Sequence, residues 1–202
     1  MARKGFPVVL SAPSGTGKTT LAHLLVNSMD KLCLSVSFTT RAIRGSEQDG
    51  ISYHFVDQPK FDEMVANNEF IEHAVVHGNS YGSSYAWTQE MLSLGKDVLF
   101  DIDVQGGLQI KKHYPEAVTI FVTPPSFLEL ENRLHLRGTD SKEDIEQRLK
   151  SAKSEIMVGL DKYDYVINNE KLDRALFDLT AIMRAHHITR IDRKKIQNRL
   201  MS

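Results

Sequence analysis

The chain has 202 residues, 41% of them hydrophobic and 25% charged, with a formal charge of −1 from 25 basic and 26 acidic side chains. That apolar share suits one well-buried core and excludes a disordered chain, while the near-neutral balance gives no general case for binding nucleic acid. The apolar runs fall far short of the roughly 20 residues a bilayer needs, so no membrane segment is expected. In chain order, residues 6–10 read as a buried strand, and residues 18–29 as a helix with Leu21, Leu24 and Leu25 at helical spacing. Residues 36–85 break that rhythm, with short strands at 52–56 and 71–76 around one helix at 61–67, the pattern of a small mixed insertion. Residues 98–100 and 118–122, dense in β-branched and aromatic side chains, are further strands. From 126 to 157 run two helical patterns with no strand between them, opened by the capping boxes Ser126-x-x-Glu129 and Ser141-x-x-Asp144. Ile145, Leu149, Ala152 and Ile156 stripe the second of these helices. A strand at 165–167 and a helix marked by Leu172, Leu176, Leu179 and Ile182 complete the pattern. Strands apolar on both faces and separated by helices predict an α/β fold with a parallel sheet flanked by helices.

The first strand runs into Ala12-Pro-Ser-Gly-Thr-Gly-Lys-Thr-Thr20. Gly15 and Gly17 permit backbone angles that turn several N–H groups into one concavity, and the following helix aims its positive end at the same point. Residues 12–20 are therefore expected to bind the phosphates of ATP. Lys18 would reach the β- and γ-phosphates, and the Thr19 hydroxyl would ligate Mg²⁺. Asp101, following the hydrophobic strand at 98–100, is the matching carboxylate for that ion. Ala12 stands where the common loop has glycine and is tolerable only if that position needs no positive φ.

Five further segments carry a resemblance: Ser35-Val-Ser-Phe-Thr-Thr-Arg-Ala-Ile-Arg44, Gly50-Ile-Ser-Tyr-His-Phe55, Asn68-Glu-Phe-Ile-Glu72, Gly78-Asn-Ser-Tyr-Gly82 and Asp101-Ile-Asp-Val-Gln-Gly106. With the phosphate loop, in this order, they resemble the guanylate kinase family over about residues 7–184. The resemblance implies a P-loop core (1–35, 86–125 and 159–202), a GMP-binding region at 36–85 and a helical lid at 126–158. It implies transfer of the ATP γ-phosphoryl group to GMP, and by extension to dGMP, within purine nucleotide metabolism. The residues matching the family's acceptor-phosphate site are Ser37, Arg41, Arg44, Tyr53 and Tyr81, and those matching its guanine site are Glu72, Ser83 and Asp103. The chemistry fits, since guanidinium forks and hydroxyls suit a phosphate dianion. A carboxylate can also accept guanine's adjacent N1–H and N2–H₂ donors together, which adenine lacks. Arg133, Arg137 and Arg148 match lid arginines that meet the donor phosphates and the transferring group, making them catalytic candidates with Lys18 and Arg41. Asn168 matches a region near the donor base. Taken singly, each of these residues has an ordinary reading as packing or surface charge; their joint register with the loop favours the functional one.

His73 and His77 fall in a strand and read as packing or surface residues, and Cys33 lacks a catalytic context. One cysteine cannot close an internal disulfide, and the basic N-terminus is cut by Ser11 and Pro13 too soon for a secretory signal, so a cytoplasmic location is expected. Residues 185–202, with five basic residues and one acidic, read as a solvated helix end. Alternatively, Ile188, Ile191, Ile196 and Leu200 form a stripe for a homo-oligomer. Two rivals stand beside the kinase reading: a P-loop kinase with another small acceptor, and a non-enzymatic scaffold, against which Lys18 and Thr19 argue.

Overall fold

The computed structural model describes residues 4–76, 78–136, 142–189, 197 and 199–201. In chain order the elements are β1 (Pro7–Ser11), α1 (Lys18–Asn27), β2 (Leu32–Leu34), β3 (Phe38–Thr39), β4 (His54–Phe55), α2 (Gln58–Ala66), β5 (Phe70–Val76) and β6 (Asn79–Ser84). There follow α3 (Tyr85–Ser93), β7 (Asp97–Asp101), α4 (Val104–His113), β8 (Val118–Thr123), α5 (Phe127–Leu136), α6 (Lys142–Lys162), β9 (Tyr165–Asn168) and α7 (Leu172–Thr189).

Five strands form the expected parallel sheet, in the order β2-β7-β1-β8-β9. Alternation along the strands divides the core into two layers. Val8, Leu10, Leu99, Ile120 and Val122 pack with Leu21 and Leu25 of α1 and Leu179 and Met183 of α7. Val9, Val98, Phe100 and Phe121 pack on the other face with Ile110 of α4, Tyr163 and Ile71 from β5. Both faces of the central strands β1, β7 and β8 are covered, which is why their middle positions are almost all apolar, while the edge strand β9 exposes Tyr165 and Val166. A third cluster of Leu130, Leu134, Ile145 and Ala152 joins α5 to α6.

Residues 38–84 build a second sheet, β4-β3-β6-β5, with β3 and β4 parallel and the other pairs antiparallel. Its strands are less visible in the sequence. The expected strand at 52–56 shrinks to His54–Phe55, because Gly50 (φ +74) and the Ser52 N–H to Gln48 carbonyl bond (2.9 Å) make a turn of the preceding residues. The helix expected at 61–67 starts earlier, at Gln58, where the Asp57 side chain accepts from the Lys60 N–H at 2.8 Å and Pro59 fits the first turn. β2, β3, β6, α3 and α4 were not legible. β6 reads Asn-Ser-Tyr-Gly-Ser-Ser and is a strand because β3 and β5 pair with it, and two glycines weaken the helical signal of α4.

Only half of the capping box at α5 forms. The Glu129 N–H donates to Ser126 Oγ at 3.1 Å, but the Glu129 carboxylate takes the Arg133 Nε at 2.8 Å instead of reaching back. Ser141 and Arg137 lie outside the described residues, as do His77, Ile191 and Ile196. α6 does not stop at 157 but continues to Lys162, and Ile156 leaves the lid cluster to pack on the main core. The solvated ending expected from residue 185 gives way at two histidines. His186 packs on the Phe6 ring with centroids 4.4 Å apart, and His187 Nε2 lies 3.1 Å from Oδ2 of the buried Asp97. Ile188 and Leu200 are exposed. Among the described residues, no helix is long and apolar enough to cross a membrane.

Candidate active site

From Ser11 the chain turns through residues 12–17 into α1. Gly15 and Gly17 have φ of +93° and +92°, which a side chain would strain. Asn68 is the one non-glycine with positive φ among the described residues, so Ala12 keeps an ordinary backbone and its departure from glycine is harmless. Gly17 caps α1 without a side chain, and no acid stands in the first turn. The first amides and the positive end of α1 thus face the loop's concavity, ready for an anion. The loop is held before any ligand arrives: Thr16 Oγ1 donates to the Pro13 carbonyl, and Asn169 Nδ2 to the Thr16 carbonyl, both at 2.7 Å.

At the end of β7, Asp101 accepts from Lys18 Nζ and, at 2.9 Å, from Thr19 Oγ1. The predicted metal pair and the loop lysine therefore meet at one carboxylate. Helices α5 and α6 contact the same loop. Leu130 and Leu134 stand against Gly15, where a Cβ would meet them at 3.1–3.3 Å. Arg148 donates to Ser14 Oγ at 3.1 Å, and Arg133 approaches the Thr16 carbonyl at 3.5 Å. Asn168, expected near the donor base, is exposed at the end of β9; its neighbour Asn169 makes the loop contact.

The loop lines a cavity of about 290 Å³ together with Ser37, Tyr53, Glu72, Tyr81, Asp103 and Glu155. Glu72 is 3% exposed and accepts from Ser83 Oγ at 2.6 Å; Ser37 Oγ lies 3.4 Å from Ser83 Oγ. Burial, with a smaller push from the Asp103 charge, raises the Glu72 carboxyl to about 7, against the pull of the Ser83 hydroxyl. Asp103 caps α4, its Oδ1 accepting from the Gly106 N–H at 2.9 Å, and its carbonyl accepts from Ser11 Oγ at 3.1 Å. Ser11 in turn takes the Tyr163 hydroxyl at 2.7 Å, so the residue following α6, the start of the loop and Asp103 are joined.

The Tyr53 and Tyr81 rings stand 6.0 Å apart. Arg41 sits one layer behind, its guanidinium 5.2 Å from the Tyr53 ring centre, donating to Glu47 Oε1 at 2.7 Å and the Ala42 carbonyl at 2.8 Å. The bond to Glu47 raises the Arg41 pKa further. Arg44 is exposed, its N–H bonded to Glu47 Oε2 at 2.9 Å. Glu47 thus holds the Arg41 guanidinium with one oxygen and the Arg44 backbone N–H with the other.

Glu155 was not foreseen. It lies on the cavity face of α6, seven residues after Arg148, and burial with the Asp103 charge raises its carboxyl to about 7, opposed by Lys18. Extending the Arg148–Ala152 face by three residues would have found it.

The guanylate kinase family model matches residues 4–186. The chain is 52% identical over 181 residues to guanylate kinase of Anaeromyxobacter dehalogenans (strain 2CP-C), covering 89% of this chain and 80% of that one. It is 48% identical to guanylate kinase of Dechloromonas aromatica (strain RCB), covering 88% and 87%. It resembles the crystal structure of guanylate kinase from Anaplasma phagocytophilum with a TM-score of 0.76 and 36% identity, over 91% of this chain and 87% of the other.

Proposed function

The chain belongs to the guanylate kinase family and phosphorylates GMP with ATP, and from that premise we propose how its residues divide the work. The observation that carries the proposal is the buried Glu72–Ser83 pair beside Asp103, across one cavity from the phosphate loop. In this reading residues 12–20 bind the ATP phosphates, and Glu72, Ser83 and Asp103 read guanine. Ser37, Tyr53 and Tyr81 receive the GMP phosphate, with Arg41, turning from Glu47, and the exposed Arg44 side chain joining them. These base readers make no demand on a ribose 2′-hydroxyl, which is the reason to expect dGMP as a second acceptor.

Thr19 and Asp101 offer hard oxygen donors 2.9 Å apart, a set that suits magnesium. Bound there with ATP, magnesium would neutralise charge on the donor phosphates. Lys18 exchanges its bond to Asp101 for the β- and γ-phosphates. An oxygen of the GMP phosphate attacks the γ-phosphorus as the bond to the β-bridging oxygen breaks, releasing ADP. That oxygen is already a nucleophile, so no general base is required. Arg133 and Arg148, with Arg137 in the same role, supply positive charge around the migrating group, and the lid above the loop excludes water.

We read residues 1–35, 86–125 and 159–202 as core, 36–85 as the GMP region and 126–158 as lid. The separate sheet and the separate α5–α6 cluster support that division. A single half-buried cysteine supports a cytoplasmic location. Exposed Ile188 and Leu200 support self-association of the C-terminal segment as the assembly expectation. A coupled assay with ATP and each monophosphate tests the site reading. GMP is expected to be strongly preferred, and rates on AMP or dTMP comparable to that on GMP would overturn it.

A further inference from the structure

We propose that Gly106 is a specificity-determining positioning residue, whose bare Cα lets the Glu72 carboxylate lie against the first turn of α4 beside Asp103. The proposal rests on the reading of Glu72 and Asp103 as the acceptors for guanine. Gly106 stands in the first turn of α4, and its φ is not positive, so the backbone there does not call for glycine. Alanine would suit a helix better. The neighbourhood explains the choice. A Cβ on Gly106 would stand 2.5 Å from Glu72 Oε2, 3.2 Å from its Cδ and 3.2 Å from Ile102 Cδ1.

Glu72 has little freedom to retreat. Its Oε1 is held by Ser83 at 2.6 Å, and the side chain is 3% exposed. Gly106 therefore serves both carboxylates at once: its N–H fixes Asp103 Oδ1 at 2.9 Å, and its missing side chain clears Glu72 Oε2. A methyl group there would turn the Glu72 carboxylate out of line with the paired donors of guanine, and hydrogen bonds weaken steeply with angle.

Initial rates of Gly106→Ala with GMP, with inosine monophosphate (which lacks the 2-amino donor) and with ATP test this, alongside Glu72→Gln and thermal unfolding. The expected result is a KM for GMP raised by about tenfold or more and a collapsed preference for GMP over inosine monophosphate, with the KM for ATP and the unfolding midpoint unchanged. Gly106→Ala with wild-type KM and preference, while Glu72→Gln impairs GMP, would overturn the proposal and leave the guanine reading standing. An unimpaired Glu72→Gln would overturn the guanine reading itself. A parallel rise in both KM values with a lower midpoint would mean a general structural role and would also overturn it. If Gly106→Ala does not fold, the Glu72→Ala background, where the clash is gone, decides. There Gly106→Ala should add no further loss, and an additive loss would refute action through Glu72.

Discussion

Burial raises the Glu72 carboxyl to about 7, and its proposed role in reading guanine makes GMP binding a matter of protonation. Guanine offers two donors, so it needs the ionised form, and binding below pH 7 must expel a proton. The KM for GMP is therefore expected to rise as pH falls from about 8 to about 6. The GMP phosphate, with its second pKa of about 6, pulls in the same direction. Glu72→Gln separates the two: it should weaken GMP by about 1–3 kcal/mol at pH 8 and retain only the shallower phosphate-driven slope. An unchanged slope in the variant would assign the pH dependence elsewhere. The free protein has the opposite preference. With its pKa raised above the unfolded value, Glu72 favours folding at low pH, and that contribution is lost as pH rises through 7. At this scale Lys18, Thr19 and Asp101 were legible because loop chemistry fixes their spacing. Glu155, Asn169 and Gly106 were not, since each matters through a partner brought close only by folding, respectively Asp103, Thr16 and Glu72.

Among elements, α6 spans the molecule's functional parts. Arg148 sits over Ser14, Glu155 faces the cavity, and beyond the helix's end Tyr163 is tied to Ser11. Arg148→Ala should lower kcat by about 10²–10³ while the GMP KM changes little, as expected for a charge used mainly in the transition state. Single-turnover rates would show it, and an unchanged rate would remove Arg148 from the transfer step. α7 is fastened differently, by His187 against the buried Asp97 and His186 against Phe6. His187→Ala leaves that carboxylate with the Phe6 N–H at 3.2 Å but without its imidazole, and should destabilise the fold by about 1–3 kcal/mol in urea titration. Equal stability would show that Asp97 does not need the imidazole. Of the parallel strands, β1, β7 and β8 were legible because burial on both faces makes them apolar runs, whereas β2, three residues long, was not. β3 and β6 were not, because their pairing partners, rather than their own composition, make them strands.

Across the whole molecule, a net charge of −1 conceals a division of charge. The last eighteen residues carry five basic side chains and one acid, so the body that binds two polyanionic nucleotides is itself acidic. It depends on local devices: the uncapped end of α1, Lys18, and arginines on the lid and behind Tyr53. Asp101 pairs with Lys18 and Glu47 with Arg41, so acids hold two of these cations in place. In the proposed reading, the acidic Glu72 and Asp103, which line the same cavity as the loop, accept guanine's donors. The most direct measurement is kcat/KM with ATP for GMP against AMP, in the wild type and in Glu72→Gln. A GMP preference of at least about 100-fold is expected, falling by about tenfold or more in the variant through loss of activity on GMP. A preference unchanged by Glu72→Gln would contradict it.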